Sequence, residues 1–365
     1  MESIHGADSF TLSNDLVTLY ITREGGHVAP ANFKLNDQIV SPYALAPWLP
    51  DEIAPDLPVL LKNLRGDFMC LPFGPQENGP PHGETANKEW MLVSDKADSI
   101  SLKIDAQDVG AQIVKTISLH AGETVIYYEH RISGLDGDFS YGNHPILDLS
   151  GLPEAAARVS TSPFRWASVY PEYFSHPNDG AQQALKIGAL FSDLSEVPLD
   201  AGGHTDLTYY PSRSGNDDLV MMVAKDPSEQ QPFAWSAVVF DTYVWFSLKN
   251  PHDFPATMFW LSNGGRSAAP WNSKHLARLG VEDICSHFCD SVDISRKDLL
   301  HNLGVPTTRK FSKDEEVTLR NIQAVAAIPL GFGKVKSIVP HGDHEVMLTD
   351  DSELSITTKV DWKRI

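Results

Sequence analysis

Residues 99–132 read SISLKIDAQDVGAQIVKTISLHAGETVIYYEHRI. Ile100, Leu102 and Ile104 occupy alternate positions, and so do Ile113, Ile117 and Leu119. Successive side chains of a strand point to opposite faces, so apolar residues two apart mark one buried face. The run His120-Ala-Gly122-Glu123 breaks the pattern as a turn does. Three strands over 99–105, 112–119 and 124–132 follow, paired as an antiparallel meander.

The same composition recurs on the C-terminal side. Strands are expected over 219–224, 234–240, 243–248 and 257–262, with a tight hairpin at Asp241-Thr242. Five short strands follow at 316–321, 323–328, 334–339, 345–349 and 353–360. Helical signals are few. Ser295-Arg-Lys-Asp298 resembles a capping box that opens a helix ending at Gly304, and 272–279 reads as a short helical turn. Residues 41–92 and 151–215 are rich in proline and glycine and read as long loops, which in a compact domain tend to be functional. No repeat and no linker divides the chain. The pattern predicts an all-β protein with few short helices. It is read as one domain over 1–365, a large antiparallel sandwich whose loops cover one face, with extra strands over about 330–365.

Composition narrows the function. The formal charge is -19 over 365 residues, which argues against nucleic acid and an anionic membrane surface. A neutral ligand suits this balance better than a phosphorylated one. The three cysteines, Cys70, Cys285 and Cys289, form no disulfide framework and read as reduced thiols. Cys285-Ser-His287-Phe-Cys289 is too crowded for a metal site and lacks a distant cysteine pair, so no metal is expected. The opening MESIHGADSFTLSND has neither a basic nor an apolar leader region, and no apolar run is long enough to cross a bilayer. These features predict a cytoplasmic protein.

Four segments combine titratable groups with aromatic ones. They are Arg65-Gly-Asp-Phe-Met-Cys-Leu-Pro-Phe-Gly74 leading into Pro81-His-Gly-Glu-Thr-Ala-Asn-Lys-Glu-Trp90; Tyr141-Gly-Asn-His-Pro-Ile-Leu-Asp-Leu149; His204-Thr-Asp-Leu-Thr-Tyr209; and Phe259-Trp-Leu-Ser-Asn-Gly-Gly-Arg266 with Arg278-Leu-Gly-Val-Glu-Asp-Ile284. Aromatic rings pack on the CH faces of sugars, and polar groups meet their hydroxyls. A histidine and a partly desolvated glutamate can move protons near neutral pH.

In this order the segments resemble the aldose 1-epimerase (galactose mutarotase-like) family, including its hexose-6-phosphate branch. His82-Gly83…Trp90 looks like the family's His-Gly…Trp loop, and Asn143-His144-Pro145 its second histidine strand. Thr205-Asp206…Tyr209 is similar to a substrate-contacting segment, and Gly280-Val-Glu282 to the strand of the catalytic glutamate. The resemblance covers roughly residues 10–330. It implies a β-supersandwich and cofactor-free interconversion of the anomers of an aldose, phosphorylated or not. Glu282 would be the base at the C1 hydroxyl and His144 the acid at the ring oxygen. His82 would orient the sugar, with Arg65, Asp206, Asn87 and Trp90 as further contacts. One departure is clear: Ala86 stands where the family commonly has an arginine.

Other classes remain open on the sequence. A sugar-binding or sensor protein would bind an aldose without turning it over. A glycosidase would need two carboxylates, which Glu84, Asp148, Asp206 and Glu282 could supply. A cupin-like metal enzyme would need histidines at strand spacing, and no His-x-His pair occurs. Each single residue also has a plain structural reading. His144 could be a satisfied core histidine, Glu282 a solvent-facing strand residue, Asp206 a turn cap, and Trp48, Trp90, Trp260 and Trp271 core.

Overall fold

A computed structural model describes residues 1–365. Ser99–Ala106, Ala111–Ser118 and Val125–Ser133 form the expected meander, register Ile104↔Ile113 and Ile132↔Ile113. They belong to a nine-stranded antiparallel sheet that also holds Ala157–Thr161, Ala234–Val239, Tyr243–Lys249 and Val317–Ala327. A second sheet carries Phe164–Val169, Asn216–Ala224, Ala256–Asn263, Arg278–Cys285 and Tyr141–Asn143 as its successive strands, with Met69–Cys70 at its edge. The fold is the all-β sandwich that the patterning predicts.

Alternation assigns the layers. In the second sheet, Val220, Met222, Phe259, Leu261, Leu279 and Val281 face the main core, together with Ile113, Ile126 and Val238 of the nine-stranded sheet. Their neighbours Leu219, Met221, Met258, Trp260 and Ile284 face the other way, into a separate cluster with Trp48, Leu60, Phe68 and Phe288 from the covering loops. A sheet buried on both faces loses the apolar–polar alternation of a half-exposed one. That second face, roofed by loops, is where a site can form away from the sandwich core.

The C-terminal strands Val335–Pro340, Glu345–Asp350 and Ser355–Lys359 make their own three-stranded sheet. Ile338, Val346 and Leu348 pack on Trp235, Phe246 and Ala324, the outer face of the nine-stranded sheet. Residues 2–40 form a five-stranded sheet, in which Val17, Leu19 and Ile21 reach the main core.

Several local expectations are corrected. Segments 316–321 and 323–328 are one strand, Val317–Ala327, because Asn321 and Gln323 are buried inside the sandwich instead of marking a gap. Residues 151–215 are not all loop, since Ala157–Thr161 and Phe164–Val169 are strands. Ser295 ends a helix instead of opening one; the cap is Ser291, before Val292–Ser295. Residues 272–279 form no helix. Asn272, Ser273 and Ala277 have φ of 46°, 55° and 51°, a left-handed conformation that a right-handed helix excludes, and a strand begins at Arg278.

Candidate functional site

Under the loop roof lies a cavity of about 280 Å³. Its walls are largely apolar, with Leu60, Leu64, Phe68, Met258, Trp260 and Trp271 among them. The polar groups on its wall are His82, His144, Glu282 and Arg266, with Cys289 beside them. An apolar pocket with a few converging polar groups is the usual form of a small-molecule site. A larger cleft of about 590 Å³ lies across the 264–267 segment and is lined by Gln182, Asn216 and Asp200. It holds no histidine, so the acid–base groups belong to the smaller cavity.

Glu282 stands in strand Arg278–Cys285 on the face opposite Val281, beside Met258 of the neighbouring strand. It is 1% exposed, which excludes the solvent-facing reading. Room for its carboxylate comes from Gly280: a Cβ there would lie 2.6 Å from Glu282 Oε1 and 3.0 Å from the Trp260 Cβ. Oε1 is 3.4 Å from Nε2 of His144, while Oε2 has no hydrogen-bond partner.

His144 follows strand Tyr141–Asn143. Its backbone N–H donates to the Phe68 carbonyl at 3.0 Å and to Asp67 Oδ1 at 2.9 Å. Its ring stacks on Phe68 with centroids 4.6 Å apart, and its Nδ1 has no partner. His82 stands edge-on to it at 5.2 Å. The backbone of His82 is left-handed, with φ 61°. Two bonds with Gly74 hold it there: His82 N–H donates to the Gly74 carbonyl at 2.8 Å, and Nδ1 accepts from Gly74 N–H at 3.2 Å. The next residue must be glycine, because a Cβ at Gly83 would come within 2.0 Å of the Leu71 carbonyl oxygen.

Burial sets the electrostatics. It pushes the Glu282 carboxyl well above its ordinary value and the His144 imidazole well below. It lowers His82 to about 4. Desolvation disfavours the charged form of each group. Glu282 and His144 are therefore most stable as a neutral acid facing a neutral imidazole, and a proton moved between them leaves their total charge unchanged.

Arg266 also lines the cavity. Its guanidinium lies 4.7 Å from the Phe174 ring, 4.9 Å from Trp271 and 5.3 Å from Trp260. Asp217 fixes this corner: Oδ1 accepts from Trp260 Nε1 at 2.9 Å, Oδ2 accepts from Gly265 N–H at 2.9 Å, and Arg266 Nε is 3.6 Å away.

Of the seven site residues expected from sequence, the structure brings His82, His144 and Glu282 together. The other four are elsewhere, with their polar atoms already used. Arg65 donates to the carbonyls of Ile4, His5 and Asn63. Asn87 accepts from Leu60 N–H and donates to the carbonyls of Pro81 and Gly83. Trp90 lies in the main core and donates to the Thr85 carbonyl. Asp206 caps its own turn through Thr208. Trp260, Trp271, Phe68 and Arg266 also line the cavity without any motif marking them as contacts; a tryptophan on a strand or loop looks the same in sequence whether it fills a core or lines a cavity. Cys285 and His287 point to other partners, Pro306 O and Asp290. No group of three His, Cys, Asp or Glu side chains is placed to hold a metal ion. No helix is long and apolar enough to cross a membrane.

No family model and no curated protein sequence matches the chain. Solved structures do resemble it. One is a proposed aldose 1-epimerase from Klebsiella pneumoniae, with a TM-score of 0.60 and 14% identity over 88% of this chain and 79% of that one. Another is a proposed aldose 1-epimerase from Escherichia coli K12, TM-score 0.59 and 13% identity, covering 88% and 100%. A galactose mutarotase related enzyme from Lactobacillus acidophilus has a TM-score of 0.57 and 12% identity, covering 88% and 98%. At such identities the likeness speaks for the fold alone: this chain has a galactose mutarotase-like β-sandwich fold.

Proposed function

We propose that this protein is an aldose 1-epimerase, which interconverts the anomers of a sugar by opening and closing its ring. The observation that carries this reading is the buried Glu282–His144 pair, 3.4 Å apart on the wall of a sugar-sized cavity, with Glu282 Oε2 and His144 Nδ1 free of protein partners. A carboxylate and an imidazole close together on the wall of an apolar pocket can pass protons to and from a bound ligand.

In the reactive form, the shared proton sits on His144 and Glu282 is a carboxylate. Glu282 takes the proton from the C1 hydroxyl as His144 gives its proton to the ring oxygen. The C1–O5 bond breaks and the open-chain aldehyde forms. Rotation about C1–C2 presents the other carbonyl face, and the reverse transfers close the ring. One proton enters the pair as one leaves it, so nothing is consumed. His82, a neutral acceptor from Gly74, can donate through Nε2 to a sugar hydroxyl. Phe68, Trp260 and Trp271 give apolar walls for the CH groups of the sugar, and Arg266 would meet a hydroxyl or a phosphate. General acid–base transfer and positioning are together the source of the rate.

Glu282 is the one carboxylate on the cavity wall, which speaks against hydrolysis by a carboxylate pair. We also propose that residues 1–365 act as one domain, because the C-terminal sheet covers Trp235 and Phe246. The test is anomer exchange by polarimetry or NMR with freshly dissolved glucose, galactose and their 6-phosphates. Acceleration of any of them supports the reading. Binding without acceleration would make the protein a sugar binder instead.

A further inference from the structure

We infer that Asp67 is a positioning residue for His144, holding the acid of the proposed epimerase in register with Glu282 from behind. This rests on the reading of His144 and Glu282 given above.

A histidine at a site is usually oriented by a hydrogen bond to its second ring nitrogen. His144 has no such bond, because its Nδ1 is unpartnered. Its placement therefore comes from the backbone and the ring face, and one dipeptide supplies both. Phe68 stacks on the imidazole and accepts the His144 N–H through its carbonyl. Asp67 Oδ1 accepts the same N–H at 2.9 Å. A single N–H shared between two acceptors resists tilting toward either.

The carboxylate is in turn fixed from the opposite sheet. Asp67 Oδ2 accepts from Gln323 Nε2 at 2.8 Å, in strand Val317–Ala327. Gln323 Oε1 accepts from the Tyr43 hydroxyl at 2.5 Å, which itself accepts from Trp245 Nε1 at 3.1 Å. Asp67 is 2% exposed, and Gln323 is fully buried. Each amide or hydroxyl orientation follows from the next, so the chain is fully determined from Trp245 to His144. Burial pushes Asp67 up to about 7, and the Lys115 charge and the donors from Gln323 and His144 act against that. Burying a carboxylate between two sheets is costly for a purely structural tie. Its one contact on the site side is the residue assigned as the acid.

The geometry makes acceptance of the N–H the essential property, not the charge. The amide introduced by Asp67→Asn would still offer an oxygen to His144, and with Gln323 turned over it could donate to Oε1. The experiment is steady-state anomer exchange with wild type, Asp67→Ala, Asp67→Asn and Gln323→Met, each checked for folding by circular dichroism. Asp67→Ala is expected to lose kcat by about tenfold to a hundredfold with KM within about twofold. Asp67→Asn should restore most of it, and Gln323→Met, which leaves Asp67 in place but frees it, should lose part. A merely structural residue would lower the melting temperature and leave kcat of the folded fraction unchanged. That result, or a loss carried in KM alone, would overturn the inference. If Asp67→Ala does not fold, Gln323→Met decides on the same criterion. A wild type with no epimerase activity would instead remove the proposed function itself.

Discussion

Oε1 of Glu282 lies 3.4 Å from Nε2 of His144, with the two side chains 1% and 7% exposed. Two groups of opposite tendency lie buried side by side. Burial raises the acid and lowers the base, so the proton rests on Glu282, and moving it to His144 leaves the total charge of the pair unchanged. Tuning by environment in this way lets ordinary side chains exchange protons near neutral pH.

The carboxylate owes its position to a missing side chain. Gly280 leaves the space that Glu282 Oε1 occupies, and a methyl there would also press on Trp260. Gly280→Ala is predicted to lower kcat by about a hundredfold, since a displacement near 1 Å has that effect on aligned groups. Anomer exchange checks it, with sugar affinity by calorimetry expected to change far less.

Arg266 is predicted to act in binding. It touches three aromatic rings and lines the cavity. Arg266→Met should raise KM about tenfold with kcat within about threefold, the pattern of uniform binding. Comparing a free sugar with its 6-phosphate shows which substituent the guanidinium meets: a much larger loss for the phosphate marks charge recognition.

Stability should fall on mild acidification. His82 is held down to about 4 and His144 and His275 well below their ordinary value, all mainly by burial. From about 6.5 down to those depressed values, the unfolded chain binds protons that the folded one does not. Each such histidine then removes up to about 1.4 kcal/mol per pH unit as pH falls. Glu282 has the opposite sign: its raised value costs stability as pH rises above the ordinary carboxylate range. Urea unfolding at pH 7 and pH 5 should show the fall, and His82→Gln should make the slope shallower by about one proton. An unchanged slope would mean that His82 is not held neutral.

The C-terminal sheet should matter for stability and not for chemistry. Leu348 is fully buried against the outer face of the nine-stranded sheet, with the main core between it and the cavity. Leu348→Ala is predicted to cost about 2–5 kcal/mol in urea unfolding, the range for a large-to-small core change. Any anomer exchange by the folded protein should not change.

Strand-forming segments were legible in the sequence because a half-buried strand writes its geometry as period two, as in Ile100, Leu102 and Ile104. Strands buried on both faces were harder. Asn321 and Gln323 look like a break because polar residues usually face water, yet they sit inside the sandwich, where Gln323 bonds to Asp67 and Tyr43. His82, His144 and Glu282, far apart along the chain but linked by the order of their motifs, meet on the wall of one cavity. Arg65, Asn87, Trp90 and Asp206 were not where motif proximity suggested. Closeness along the chain says nothing about which way a side chain turns, and the backbone of a tight loop consumes nearby polar groups first. Trp260 and Arg266 could be placed on the cavity only once the sheet face and the roof were known together.

The most direct test is NMR exchange between the α and β anomers of an accepted aldose, comparing wild type with Glu282→Gln. Gln has nearly the same shape and cannot take the C1 proton, so the account predicts that exchange falls by about 10²–10⁴-fold toward the uncatalysed rate while sugar binding persists. Exchange at the wild-type rate in Glu282→Gln would contradict the assignment of the base and the mechanism built on it.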